Sequence, residues 1–110
     1  MQTIVIKLDP ALLANPDLDL RYEIPEAIEL YTNGQIVERG YDYLEDANNS
    51  MTIWLGCDDA NIAYLDVLGC FKQQKILDND LTQAVEIYIS EEEDADFAKC
   101  TLVYRHKPSS

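Results

Sequence analysis

Apolar and polar residues alternate over "QTIVIKL" at the start of the chain, which puts Ile4, Ile6 and Leu8 on one side and Thr3, Val5 and Lys7 on the other. A period of two marks a half-buried strand, and Pro10 ends it. "DPALLANPDLDL" then carries two prolines and three aspartates and reads as a loop, with a short helical turn at Ala11–Ala14. From about Tyr22 to Thr32 the period becomes helical: Leu20, Ile24, Ala27, Ile28 and Tyr31 fall on one stripe, with Glu23, Glu26 and Glu29 elsewhere. Proline is tolerated in a first turn, so Pro25 predicts a helix start close to Ile24. Acids there suit the positive end of the helix dipole, and Asn33–Gly34 forms a C-terminal cap.

Two runs rich in β-branched and aromatic residues follow, "QIVERGYDYLE" and "SMTIWLGC", joined through the turn signal "DANNS". Gly40 inside the first of them predicts a bulge. "DDANIAYLDVLGCFKQQK" reads as a second helix, capped by Asp58 or Asp59, with Ile62, Leu65, Leu68 and Cys70–Phe71 as its apolar stripe. Gly69 weakens its last turns by about 1 kcal/mol of propensity. "AVEIYIS" is a fourth strand, with Val85, Ile87 and Ile89 inward. "FAKCTLVYR" is a fifth, paired with it across the acidic tip "EEEDAD". "HKPSS", residues 106–110, reads as a frayed tail.

The predicted order is β-α-β-β-α-β plus an extra C-terminal strand. This is the ferredoxin-like, split βαβ pattern, an α+β two-layer sandwich with a mostly antiparallel sheet and two helices on one face. Residues 1–110 are expected to form a single domain. At 110 residues and 47% hydrophobic content the chain has material for one core.

Charge narrows the function. There are 21 acidic against 8 basic residues, a formal net charge of −13. Such a field repels nucleic acid and anionic membranes and steers basic partners, although it also serves solubility. "MQTIVIKLDP" reaches Lys7 and Asp9 too soon for a secretory apolar region, and no apolar run approaches the roughly 20 residues of a span. A soluble, cytoplasmic protein is expected. Cys57, Cys70 and Cys100 match neither a disulfide framework nor a zinc pair and read as buried thiols of a reducing compartment.

No catalytic constellation converges. The sole histidine, His106, sits in the terminal segment, where a general base is rarely held, and reads as a solvated residue. The four glycines form neither GxGxxG nor a P-loop. Cysteine and histidine are too scattered for zinc, and "DNDLTQAVE" lacks the central glycine and ligand series of a calcium loop. Glu45–Asp46 and Asp58–Asp59 could in principle act as acid and base. Neighbours on a strand point to opposite faces, however, and pairs at a helix start usually cap. No enzymatic activity, cofactor or metal is expected.

Surface remains. Up to Phe71 there are 3 basic against 13 acidic residues, and beyond it 5 against 8. In the second strand Tyr41, Tyr43 and Glu45 alternate with Asp42, Leu44 and Asp46. Tyrosines supply rigid contact area, and surrounding acids supply orientation and a fast encounter with a basic partner. Tyrosines packed on the sheet beneath solvated acids would give the same pattern.

The block from Asn15 to Asp59 resembles bacterial immunity proteins of polymorphic and contact-dependent growth inhibition toxin systems. The likeness rests on the "NPDLDLRYEIPE" lead-in to the first helix, the "NG" that closes it and the "GYDYLED" strand. It spans a little under half of the chain, and its motifs are structural. The resemblance implies a small, acidic, cytosolic protein that binds a cognate toxin, often a basic nuclease, and occludes its active site. No binding residue carries over from the family.

Charge and exposure place the expected partner contact at Tyr41, Asp42, Tyr43, Glu45 and Asp46, with Asp58 and Asp59 as a second acidic rim. The expected partner is a basic toxin protein, with no nucleic acid and no membrane, and the chain itself a monomer. The alternative is a ferredoxin-like regulatory or small-ligand-binding domain that dimerises through its last strand. A hydrolase using paired carboxylates is a distant third.

Overall fold

The computed structural model describes residues 1–46 and 48–106. Five strands and two helices follow in the order β1 (Gln2–Leu8), α1 (Leu20–Tyr31), β2 (Val37–Tyr43), β3 (Met51–Cys57), α2 (Ala60–Gln73), β4 (Val85–Ser90) and β5 (Thr101–Arg105). Short 3-10 turns lie at Pro10–Leu12, Leu81–Gln83 and Phe97–Lys99. The strands form one sheet in the order β2-β3-β1-β4-β5, and every neighbouring pair is antiparallel. Each helix joins strands that are not neighbours: α1 links β1 to β2 with β3 between them, and α2 links β3 to β4 with β1 between them. This is an α+β architecture in which one face of the sheet shares a single apolar cluster with both helices.

The register arranges that cluster in rows. Met51, Leu8 and Val85 lie side by side across β3, β1 and β4, followed by Ile53, Ile6 and Ile87, then Leu55, Ile4 and Ile89. Leu20, Ile24 and Ile28 of α1 and Ala60, Val67, Leu68, Cys70 and Phe71 of α2 close over them. Tyr41 and Tyr43 extend two of these rows outward, opposite Ile53 and Met51, so the apolar face ends at the β2 edge in two tyrosines.

Several sequence expectations are corrected. β1 is buried on both sides, not half-buried: Thr3 and Val5, on the face away from the helices, are as inaccessible as Ile4 and Ile6. Val5 lies between Trp54 and Tyr88 in the register, and both rings meet Phe97 of "FAKC", which is not part of β5. Phe97–Lys99 instead forms a 3-10 turn, and the Phe97 ring meets Tyr88 at 4.8 Å and Trp54 at 6.5 Å between centroids. The acidic stretch before it is no free tip. Thr3 Oγ1 donates to the carbonyls of Glu92 and Glu93 at 2.8 and 3.1 Å, and the Arg39 guanidinium donates to the Glu93 carbonyl and lies 3.7 Å from Asp94.

The helices also depart from the pattern. α1 begins at Leu20, so Pro25 sits in its interior. Its opening turn is held by i→i−3 bonds from Leu20, Arg21 and Tyr22, and Pro25, which has no N–H, cannot donate to the Arg21 carbonyl one turn earlier. In α2 the inward stripe is Ala60, Ala63, Tyr64, Val67, Leu68, Cys70 and Phe71, while Ile62 and Leu65 point outward, 63% and 55% exposed. A Cβ on Gly69 would approach the Tyr31 hydroxyl to 2.8 Å, so this glycine makes room for the end of the Tyr31 side chain against α2. Gly40 does mark a bulge: the β2–β3 register shifts between Glu38 and Gly40, whose φ is +130°. Asn33 and Gly34 take positive φ and close α1, with Gly34 N donating to Glu29 O.

His106 is not a solvated tail residue. Its backbone N donates to Val85 O at 3.1 Å, the ring is half-buried, and Nδ1 has no partner among the described residues. The rest of the expected tail, residues 107–110, lies outside the described residues. No helix among the described residues is long and apolar enough to cross a membrane.

Candidate partner-binding surface

β2 is an edge strand, so one of its sides faces no other strand. Its exposed side chains still find company, because α1 packs beside it. Tyr41 stands edge to face with Tyr43 at 6.0 Å and with Tyr22 of α1 at 6.2 Å. The Arg21 guanidinium lies over Tyr22 and Tyr41, 4.8 and 5.3 Å from their ring centroids. Stacking of this kind holds a guanidinium planar and partly dehydrated, and Arg21 Nε is sheltered without a hydrogen-bond partner among the described residues. Interaction with the Tyr22 hydroxyl raises the Tyr41 phenol above its ordinary value. All three rings remain 38–49% exposed. The cluster is therefore open, and it is built from the residue types that dominate binding energy at interfaces.

An apolar pocket of about 220 Å³ continues this surface towards the β1–α1 loop. Its walls include Leu8, Leu13, Pro16, Leu18, Tyr43 and Met51, and its mouth includes Asp17, Asn48 and Asn49. Asn48 donates to Asp9 Oδ2 at 3.3 Å through its side chain and to Asp46 Oδ1 at 3.2 Å through its backbone, so two more carboxylates gather at the mouth.

The seven residues expected at the contact do not form one patch. Tyr41 and Tyr43 share the helix side of the β2 edge. Asp42 faces the other side, in a row with Thr52, Lys7, Glu86 and Arg105. The strand ends at Tyr43, so the expected alternation does not reach Glu45 and Asp46. Both are exposed, but Asp46 also holds the turn together, because its Oδ1 accepts from Ser50 N at 2.9 Å and from Asn48 N. The Ser50 bonds, foremost the backbone one, hold the Asp46 carboxyl below its usual range.

Asp58 and Asp59 lie at the far end of β3, about 20 Å from the Met51 end at ~3.4 Å per residue. Asp59 caps α2 by accepting from Asn61 N at 3.1 Å, and Asp58 makes no such bond among the described residues. The sequence pattern does not single out Leu18, Arg21 or Tyr22. Their relevance depends on α1 packing beside the β2 edge, a tertiary relationship with no local signal.

Burial raises the thiols of Cys70 and Cys100 and takes that of Cys57 up to about 11, with Asp58 and Asp59 adding to the Cys57 effect. None of the three is poised as a nucleophile. Among the described residues no three His, Cys, Asp or Glu side chains gather as metal ligands. No protein-family model matches this chain, and no curated protein or solved structure matches it at a significant level.

Proposed function

We propose that this chain is a cytoplasmic binding protein of the immunity type, which docks a basic toxin domain and masks it without carrying out a reaction. On this reading the frame is ferredoxin-like with an added edge strand, and the contact centres on the β2 edge. The observation that carries it is the open cluster of Tyr22, Tyr41 and Tyr43 around Arg21, in a protein of net charge −13. Aromatic and arginine anchors would supply the durable contacts, and the acids would raise the encounter rate with a basic surface. Asp42, Glu45 and Asp58 serve as steering charges on this reading, while Asp46 and Asp59 act mainly through the turn and the helix they hold.

The test is co-expression with any toxin domain found encoded beside this gene, together with co-purification at low and high salt. Protection with salt-weakened binding is expected. Full protection by a chain carrying Tyr41→Ala, Tyr43→Ala and Arg21→Ala together would move the contact elsewhere.

A second reading, a homodimeric regulatory or ligand-binding domain, is favoured by one observation. β5 is also a free edge, and Leu102 on it is 42% exposed. Light scattering separates the two, since a dimer that persists at low micromolar concentration supports the second.

A further inference from the structure

The pocket beside Tyr43 has a size, a lining and a rim that together specify an occupant. Its volume of about 220 Å³ exceeds the roughly 150 Å³ cavity that holds a benzene ring. It falls below the roughly 300–1,000 Å³ of sites that enclose a drug-sized ligand or cofactor. One large side chain matches that space. The lining is almost wholly apolar, with Leu8, Leu13, Leu18 and Met51 contributing aliphatic surface and Tyr43 an aromatic edge.

The rim is anionic. Asp17 lies on it, and Asp9 and Asp46 are drawn to it through Asn48. Lys7, whose charge reaches Asp46, is engaged by Glu86 at 3.5 Å. The rim therefore complements cations that flank the inserted group, and Tyr43 joins the pocket directly to the Tyr41–Tyr22–Arg21 cluster.

We propose that this pocket is an anchor socket, which receives one phenylalanine- or leucine-sized side chain of a protein partner whose neighbouring residues are lysine or arginine. The inference rests on the partner-binding reading and specifies it. A socket of this kind sets the register of docking, because acids alone attract a basic surface without fixing where it lands. It also couples the two halves of the surface, since a side chain seated against Tyr43 presses on the ring that supports Tyr41.

Amide NMR titration of the chain with three probes tests this. They are a capped peptide with phenylalanine between pairs of lysines, the same peptide with alanine at the centre, and capped phenylalanine amide alone. The phenylalanine peptide is expected to bind roughly ten-fold or more tightly than the alanine peptide, with shifts at Leu13, Leu18, Asn48 and Asn49. Leu13→Trp, which fills the socket, should remove that preference and leave the salt-sensitive binding of the alanine peptide. If Leu13→Trp does not fold, Leu18→Ser at the exposed lip should reduce the preference several-fold in a chain with an otherwise unchanged spectrum.

Equal, salt-sensitive binding of both peptides overturns the socket and leaves the acidic docking surface standing. Absence of salt-sensitive binding by either peptide overturns both. Capped phenylalanine amide binding as tightly as its basic peptide would make the pocket a site for a small apolar ligand and overturn the protein occupant.

Discussion

Asn15 and Asn79, 64 residues apart, exchange a reciprocal pair of hydrogen bonds: Asn15 N donates to Asn79 Oδ1 and Asn79 Nδ2 donates to Asn15 O, both at 2.8 Å. Asn79 is 1% exposed, and its amide also donates to Leu77 O. The exchange fastens the β1–α1 loop, which carries Leu13, Pro16 and Leu18 of the pocket wall, to the segment after α2. Leu77 and Asp78 take positive φ as the two central residues of a tight turn closed by reciprocal Ile76–Asn79 backbone bonds, and that turn carries the Asn79 side chain to Asn15.

Asn79→Ala leaves the Asn15 N–H and carbonyl without partners, while Leu77 O keeps the bond from Asn15 Nδ2, and should cost about 2 kcal/mol of stability, read from urea unfolding. Asn15→Ala keeps both bonds of the exchange, which use its backbone, and loses only the bond from Nδ2 to Leu77 O, so it should cost about 1 kcal/mol. Equal losses for the two variants would show that the Asn15–Asn79 exchange contributes nothing.

Tyr41 and Arg21 should separate stability from binding. Tyr41 is 38% exposed at a sheet edge, so Tyr41→Ala should cost no more than about 1 kcal/mol in folding. At an interface the same truncation should cost about 2 kcal/mol or more, roughly thirty-fold in Kd. Arg21→Lys keeps the charge and loses the planar stacking, and should recover only part of the affinity lost in Arg21→Ala. Calorimetric titration of the partner with each variant measures the difference. Full recovery by lysine would mean that charge alone matters at this position.

Much of the fold is legible because it is written in local periods. The strands, the two helices, the bulge at Gly40 and the cap at Asn33–Gly34 all follow from patterns within about ten residues. What is not legible depends on distant packing. Val5 reads as a solvent-side residue until Phe97 is laid over that face, and nothing in "FAKC" distinguishes a strand start from a covering turn. Ile62 and Leu65 share helical spacing with Leu68, and only the small residues Ala60 and Ala63 show which side faces the sheet. Tyr41 and Tyr43 stand out in sequence by their neighbours. Arg21 and Tyr22 do not, because what pairs them with Tyr41 is the placement of α1 beside β2.

Some acids hold structure and others only carry charge, and pH should reveal the division. The Asp46 carboxyl is held below its usual range in the folded state by Ser50. Its contribution is therefore present above the unfolded value near 3.8 and lost as pH falls through the lower folded value. Asp46→Asn should flatten the loss of stability below about pH 4, measured by thermal unfolding across an acid series. Asp59→Ala should cost about 1 kcal/mol through the lost cap on α2. Asp58→Asn and Glu45→Gln should leave stability within about 0.5 kcal/mol while slowing association at low salt. A steeper acid transition in Asp46→Asn than in the parent chain would mean that the Asp46 carboxylate destabilises the turn.

The three cysteines should differ sharply in accessibility at a common pH. Cys57 is buried at the end of β3, Cys70 is buried on the inward side of α2, and Cys100 is half-exposed beside Asp96. At pH 8 a thiol titrating at about 11 is roughly one part in a thousand thiolate, and burial further bars the reagent. A disulfide reagent such as Ellman's should modify one thiol of the folded chain, at Cys100, and all three in denaturant. Cys100 should react more slowly than a free cysteine, since burial and the charges of Asp96 and Glu92 raise it too. Because the folded-state value of Cys57 lies above the unfolded one, its contribution is present below about pH 9 and lost as pH rises through about 11. Cys57→Ala should therefore weaken the alkaline decline in stability, although it lowers the plateau by leaving a small cavity. Rapid modification of Cys57 in the folded chain at pH 8 would mean that the β3–α2 junction opens far more often than its packing allows.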